Sequence, residues 1–446
     1  MPDLNTLLSR QLKRRRPTGA DGSGTFDVSL SSDTVLSKIK YVLKTGIDSF
    51  DETVGGLPFG RMVEVYGLEM CGKTATCIRA MVKAQVGEIY RRDTSPDSPI
   101  VTLTKLKPDE IDVATLYIDN EQSIDQDQKT NVDGVEMSCI ILRCDTVDQL
   151  FKITDITIDK MAIQQAEEDE RAKKDKRTPK IILTVIIVDT IAGTSSHQEM
   201  VEEWNKEDFQ RQPKMLRKGF RRLQRKINRN NILMICTNQV SENFNKARSS
   251  VKFSVPQAGD YTTFGGRAIR YYASIRVFMY QIMDNYKIQP TKFSQGLLIG
   301  FYTVKNRVVK PCRSARMVLL WEGGLNNDFS RFETLAFLGL ITYSKSTKGY
   351  RLRFEDNGID TTTFPAVAEA KRRKSAGEQL EDDDTRGRTA TTDPELPAKH
   401  LWPAFCAEHK ADTDLLWERA KVMLFDDKAI ADVEDDGIDD DADELD

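Results

Sequence analysis

The 446-residue chain is 39% hydrophobic with a net charge of −4, enough apolar material for a core and a length that suggests two or three domains. It has no run of about 18 apolar residues, and its start, MPDLNTLLSRQLKRRRP, lacks an apolar stretch with a cleavage site, so neither a spanning helix nor a secretory leader is expected. Seven scattered cysteines without a CxxC pair, and only three histidines, read as reduced thiols of a cytosolic protein without a zinc or histidine metal centre.

Residues 1–45 read as an N-terminal arm. Leu4, Leu7, Leu8 and Leu12 recur at helical spacing, and the basic run Lys13–Arg16 suits either a solvated arm or a contact to DNA or a neighbouring chain. From residue 46 to 320 strand-like and helix-like segments alternate: strands at Arg61–Tyr66, Thr115–Ile118, Ile140–Leu142, Ile181–Val188 and Ile232–Thr237, and a helix over Lys73–Val86. That alternation predicts βαβ units and an α/β fold with a mostly parallel central sheet. Two polar insertions interrupt it, 91–113 and the charge run 165–179, the latter read as an exposed helix or loop. A small C-terminal α/β domain follows over 321–425, with a mobile linker at about 366–398 and renewed apolar periodicity from Leu401 to Leu424. Residues 426–446 form an acidic tail, expected to be disordered.

Gly67-Leu68-Glu69-Met70-Cys71-Gly72-Lys73-Thr74 fits G-x-x-x-x-G-K-[ST] at every fixed position. Glycines let backbone N–H groups turn toward phosphates, a lysine neutralises the β/γ oxygens, and a threonine hydroxyl ligates Mg²⁺. The strand before and the helix after supply the required context. Ile186-Ile187-Val188-Asp189 is an apolar strand ending in a carboxylate, the expected Mg²⁺ partner of Thr74. Glu121 follows another strand and could orient the attacking water or merely sit at a helix N-terminus. Asn238-Gln239 follow a third strand, where an amide could sense the γ-phosphate or cap a turn.

Charge is unevenly spread. No acid occurs from Phe209 through Ser241, and residues 211–229 carry nine basic residues in 19. Leu216, Phe220, Leu223 and Ile227 form one core stripe there, leaving Lys214, Arg217, Lys218, Arg221, Arg222 and Arg225 for solvent or phosphate contact. Residues 240–263 interleave Phe244, Phe253 and Tyr261 with Lys246, Arg248 and Lys252, then close on Gly265, Gly266 and Arg267. Aromatics beside cations suit single strands, where bases stack while the backbone is neutralised. The opposite charges of 426–446 and 211–252 suit either a tail that competes with DNA for this region or a solubilising disordered tail.

GIDSFDETVGGLPFGRMVEVYGLEMCGKT (46–74) resembles the start of the ATPase core of RecA-type recombinases, as do YIDNEQSID (117–125), VIIVDT (185–190), CTNQ (236–239), FGGRAIRYYASIR (264–276) and TVKNRVVKP (303–311). The resemblance spans roughly residues 35–355 and points to a divergent member, as in the phage-encoded UvsX branch. It implies a RecA-like P-loop ATPase core that binds ATP and Mg²⁺ and forms helical filaments on single-stranded DNA. It further implies pairing with homologous duplex DNA, single-strand-binding and loader proteins as partners, no membrane, and a bacterial or phage-infected host cytoplasm. Glu121 becomes the general base and Gln239 the γ-phosphate sensor, with Lys305 and Arg307 reaching a neighbour's ATP. Glu69, Met70, Cys71, Thr76 and Asp125 join the nucleotide site. Gln128 stands where the family commonly stacks adenine on tyrosine, and Cys71 replaces the usual serine, which predicts a loop sensitive to oxidation. The alternatives are a ring-forming helicase or DNA motor of the same fold, and a filament protein using ATP only as an assembly switch.

Overall fold

A computed structural model describes residues 38–94, 101–122, 124, 132–194, 211–242, 261–289, 291–344, 349–353, 395–396 and 398–425. Most of the expected arm, nearly all of the linker and the acidic tail lie outside the described residues, as do Asp125, Gln128, Phe244, Lys246, Arg248, Lys252 and Phe253.

The chain begins with β1 (Tyr41–Leu43), α1 (Asp48–Val54) and β2 (Leu57–Pro58), then enters β3 (Arg61–Gly67) and α2 (Lys73–Gln85). The hairpin β4 (Ile89–Thr94) and β5 (Val101–Lys105) leads to β6 (Ile111–Asp119). Residues 91–113 are therefore not simply a polar insertion. Backbone pairing of β4 to β1 organises the hairpin; β5 is largely exposed, with Leu103 partly packed against the core, so its Val101–Leu103 alternation is too short to stand out in the sequence.

Next come β7 (Ile140–Leu142), α3 (Val147–Lys174), β8 (Ile181–Asp189), α4 (Arg211–Arg229) and β9 (Ile232–Glu242). A reciprocal cap starts α3: Thr146 accepts from the Gln149 N–H while the Gln149 side chain accepts from the Thr146 N–H. The 165–179 charge run extends this helix, and the Gln165 carboxamide accepts from the Ile182 N–H to tie it to β8. Then follow β10 (Tyr261–Thr263), α5 (Arg267–Tyr272), β11 (Ile275–Tyr286), β12 (Gly296–Asn306), β13 (Ser314–Leu320), β14 (Gly324–Asn326) and α6 (Asn327–Phe337). A small sheet of β15 (Ile341–Ser344), β16 (Gly349–Leu352) and β17 (Glu395–Leu396) precedes α7 (Trp402–Glu408) and α8 (Lys410–Leu424).

The main sheet has the order β14-β13-β12-β11-β3-β9-β8-β6-β7, with β10 paired to β9. From β11 to β7 all neighbours are parallel, and β12, β13 and β14 extend the sheet antiparallel. Both faces of the inner strands β3, β9 and β8 are covered, which is why they read as continuous apolar runs, whereas the edge strand β7 is exposed at all three of its residues. Val63, Val65, Ile187 and Ile235 pack into the layer that includes Cys77 and Met81 of α2. Their neighbours Met62, Ile186, Val188 and Met234 point the other way, to Leu150 and Ile158 of α3 and Leu216, Phe220, Leu223 and Ile227 of α4. Phe220, 1% exposed, meets Phe151 edge to face; its truncation to alanine should cost about 3–5 kcal/mol.

At the C-terminal end, Trp402 is buried and its indole N–H donates to the Asp328 carbonyl, while the Arg313 guanidinium holds the Phe425 carbonyl. No helix among the described residues is long and apolar enough to cross a membrane.

Candidate functional site

The carboxyl ends of the parallel strands β3, β9, β8 and β6 gather at one edge of the sheet, where open α/β sheets place their ligands. Gly67 ends β3, and a Cβ there would run into the backbone carbonyl of Met279 on β11, so only glycine lets the two strands lie this close. Gly72 then adopts a left-handed φ of 79° to start α2, whose first turn no side chain caps among the described residues. Lys73 Nζ donates to the carbonyls of Gly67 at 3.1 Å and Leu68 at 2.5 Å. Glu69 and Met70 are exposed at the tip. The Thr76 hydroxyl is buried and bonded back to the Gly72 carbonyl at 2.9 Å, so it braces the helix start.

The sensitivity expected of Cys71 is corrected by its surroundings. The thiol is 1% exposed and donates to the Leu68 carbonyl at 2.9 Å. Burial raises its pKa despite nearby Lys73, which disfavours the reactive thiolate.

Asp189 ends β8, fully buried, and is fixed by three hydroxyls. Oδ2 accepts from Thr74 at 2.8 Å and from Tyr117 at 2.7 Å, while Oδ1 accepts from Thr237. Burial first, and Asp189 next, hold the Tyr117 phenol well above its ordinary pKa, so it remains a donor. The hydroxyl–carboxylate pair of Thr74 and Asp189 is a hard oxygen set beside an uncapped helix N-terminus and a lysine, which fits Mg²⁺ and a triphosphate.

Glu121 lies just past β6 with its carboxylate exposed; Oε1 accepts from Thr190 Oγ1 at 2.8 Å and from Gln239 Nε2 at 2.7 Å. Gln239 is within β9 rather than beyond it, because Asn238 and Gln239 still pair with Tyr66 and Gly67 of β3, and β10 then carries the strand on to Glu242. Between Thr237 and Gln239, Asn238 turns to the opposite face. Its buried amide donates at 3.0 Å to both Glu64 Oε1 and the Phe264 carbonyl. Glu64 in turn pairs with Arg276, whose guanidinium lies 4.4 Å from the centre of the Tyr66 ring.

Phe264 leads into Gly265 and Gly266, with φ of 77° and 66°. A Cβ on Gly265 would press on Leu216 of α4, so the corner seats on the start of that helix. Lys214, Arg217, Arg221 and Arg267 are exposed around it. The other flank of α4 differs from expectation. Arg222 pairs with Asp155 at 2.6 Å, and Lys226 with Asp155 at 2.6 Å and Asp159 at 2.7 Å. The acids absent from α4 itself are supplied by α3.

Lys305 and Arg307 are not beside this chain's own loop. Lys305 pairs in register with Arg276 and thus stands level with Glu64, and Arg307 lies beyond it toward the start of β3. At about 3.3 Å per residue, Arg307 sits some 15 Å back along the sheet from Gly67. Lys305 Nζ donates to the carbonyls of Arg270 at 2.8 Å and Tyr271 at 3.3 Å, at the end of α5. Sequence reading missed Tyr117, Thr237, Glu64 and Arg276; the period-two position of Tyr117 relative to Asp119 was the available signal.

A family profile described as RecA N-terminal domain matches residues 85–326. Protein RecA of Thermotoga neapolitana is 22% identical over 383 residues, covering 83% of this chain and 92% of that protein. Protein RecA of Legionella pneumophila (strain Corby) is 25% identical over 336 residues, 74% of this chain and 79% of that protein. Protein RecA of Laribacter hongkongensis is 26% identical over 308 residues, 68% of this chain and 71% of that protein. With the profile covering more than half of its length, on a mostly parallel sheet with a P-loop at its carboxyl edge, the chain belongs to the RecA-type recombinase family.

Proposed function

We propose that this chain is a DNA-dependent ATPase that assembles as a helical filament on single-stranded DNA and promotes pairing and strand exchange with homologous duplex DNA. One observation carries the reading: the Gln239 amide is bonded to the Glu121 carboxylate, and Gln239 belongs to the strand that ends at Glu242, immediately before residues 243–260 in the sequence. Phe244, Lys246, Arg248, Lys252 and Phe253 lie in that segment. A change at the nucleotide site that alters what Gln239 bonds is therefore passed along β9 to the DNA-binding residues.

In this reading the turn Gly67–Gly72 and the start of α2 cradle the triphosphate of ATP, Lys73 neutralises its terminal oxygens, and Asp125 joins the nucleotide-binding residues. Thr74 and Asp189 would hold Mg²⁺, which would supply charge neutralisation to the terminal phosphates. Glu121 takes the proton of the attacking water, oriented by the hydroxyl of Thr190 and the amide of Gln239. Lys305 and Arg307, remote from their own loop, act on the nucleotide of a neighbouring protomer. Lys214, Arg217, Arg221 and Arg267 neutralise DNA phosphates, and the Gly265–Gly266 corner ends the channel loop. The arm 1–45 mediates polymerisation, 46–320 forms the ATPase core and 321–425 the C-terminal domain. The setting is cytoplasmic, with single-strand-binding and loader proteins as partners.

The test is steady-state ATP hydrolysis with and without long single-stranded DNA at fixed salt. Strong stimulation is expected, together with its loss in Lys73→Ala and in Glu121→Gln, the latter still binding ATP and DNA. Turnover indifferent to DNA, or unwinding of a forked duplex without strand exchange, would replace this reading with a motor.

A further inference from the structure

The edge of the sheet away from the P-loop holds a half-open cavity of about 180 Å³. It lies between the first residue of β3, the second half of α4, the end of α5 and the turn after β12. Arg61 and Arg307 line it with Gln224, Asn228, Tyr272 and Ser274, and no carboxylate is among its lining residues. Arg61 Nη1 donates to the Gly60 carbonyl at 2.9 Å. Burial, and then the charge of Arg307, lower the pKa of Arg61. Lys305 is lowered to about 8 by burial, then by Arg307 and Arg276. The buried carboxylate in this region, Glu64, is already engaged by Arg276 and Asn238. Arg61 and Arg307 share this cavity wall, and Arg307 lowers both Arg61 and Lys305, so cationic side chains gather at this one edge, which favours an approaching anion.

The opposite edge of the same sheet has complementary character: the P-loop, with Glu69 and Glu121 exposed beside it. A basic edge and a polyanion-binding edge at opposite ends of one sheet suit head-to-tail stacking of identical chains. We propose that Arg61 is a third cation, beside Lys305 and Arg307, that contacts the terminal phosphates of the nucleotide held by the P-loop of a second copy. The side chains of Gln224, Asn228 and Ser274 add neutral donors along the same wall. This rests on the trans role of Arg307 proposed above and adds a residue to it.

The experiment is complementation by mixing. Arg61→Gln alone should lower DNA-stimulated turnover on the order of a hundredfold, the scale for losing one donor to developing charge. Arg61→Lys should restore most of it, and Arg61→Gln should melt with the wild-type chain. Glu121→Gln alone should be inactive. In a 1:1 mixture, interfaces that join an intact Glu121 to an intact Arg61 make up about a quarter of all heterologous contacts, so turnover should return to about a quarter of wild type. Arg307→Gln mixed with Glu121→Gln runs in parallel. Recovery there but not with Arg61→Gln would overturn the role of Arg61 and leave the trans reading standing. No recovery in either mixture, with both chains in the filament, would overturn both, and wild-type turnover by Arg61→Gln alone would overturn the proposal for Arg61.

Discussion

Replacing Tyr117 by phenylalanine isolates one of the three hydroxyls that fix Asp189. The ring is fully buried, so the change opens no cavity and removes only the bond from Oη to Asp189 Oδ2 at 2.7 Å. A hydrogen bond to a charged group is worth about 1.5–3 kcal/mol, and no solvent reaches this carboxylate to replace it. We expect a loss of about 2 kcal/mol, read as a melting temperature lower by a few degrees. The same oxygen also accepts from Thr74, so a less fixed Asp189 disturbs both oxygens expected to hold the metal. Loss of such an orienting partner typically weakens metal affinity about 10- to 100-fold. The assay is ATP turnover titrated with Mg²⁺. The midpoint should rise at least about tenfold, while the rate at saturating Mg²⁺ returns near wild type because Tyr117 touches no reacting atom. An unchanged midpoint and an unchanged melting temperature would refute the reasoning.

Three further outcomes follow from the same geometry. Arg217→Gln or Arg221→Gln should each reduce the salt slope of single-strand binding by about one, whereas Arg222→Gln, already paired with Asp155, should leave it unchanged; binding titrations at several salt concentrations decide this. Gly265→Ala places a side chain at φ 77° against Leu216, a strain of about 1–2 kcal/mol, and should raise the DNA concentration for half-maximal stimulation; an unchanged value would detach the corner from DNA binding. Lys305, with its pKa lowered from 10.5 to about 8, leaves the folded chain with fewer bound protons than the unfolded chain across that interval. Stability should therefore rise with pH between those values, and Lys305→Arg should flatten the rise in melting curves.

Much of the site could be read from the chain because its constraints are local. The spacing of Gly67, Gly72, Lys73 and Thr74 is dictated by one turn around phosphates, and the stripe of Leu216, Phe220, Leu223 and Ile227 by one helix period; all four stripe residues are buried. What could not be read depends on distant partners. The acids opposing Arg222 and Lys226 come from Asp155 and Asp159, 67 residues away from Arg222 and Lys226 respectively. The extension of β9 past Thr237 depends on partners far off in the sequence: Asn238 and Gln239 pair with Tyr66 and Gly67 of β3, and residues 240–242 with Tyr261–Thr263 of β10. The β4–β5 hairpin is a weak signal because Val101 and Leu103 are the apolar residues of β5 and Leu103 alone among them packs partly against the core. Cys71 looked reactive from its place in the loop, and only its burial shows that the thiolate is disfavoured.

Three consecutive residues of β9 serve four different partners: Thr237 bonds Asp189, Asn238 bonds Glu64 and the Phe264 carbonyl, and Gln239 bonds Glu121. Side chains on a strand alternate faces, so inserting or deleting one residue here would exchange every partner at once. Length change is thus confined to the stretches on either side of this tripeptide. New segments can be accepted at the 165–179 helix extension or within 243–260, but the tripeptide itself can change only by substitution. A lineage built on this sheet can therefore diverge widely in overall size while the contacts these three residues make stay in one fixed frame.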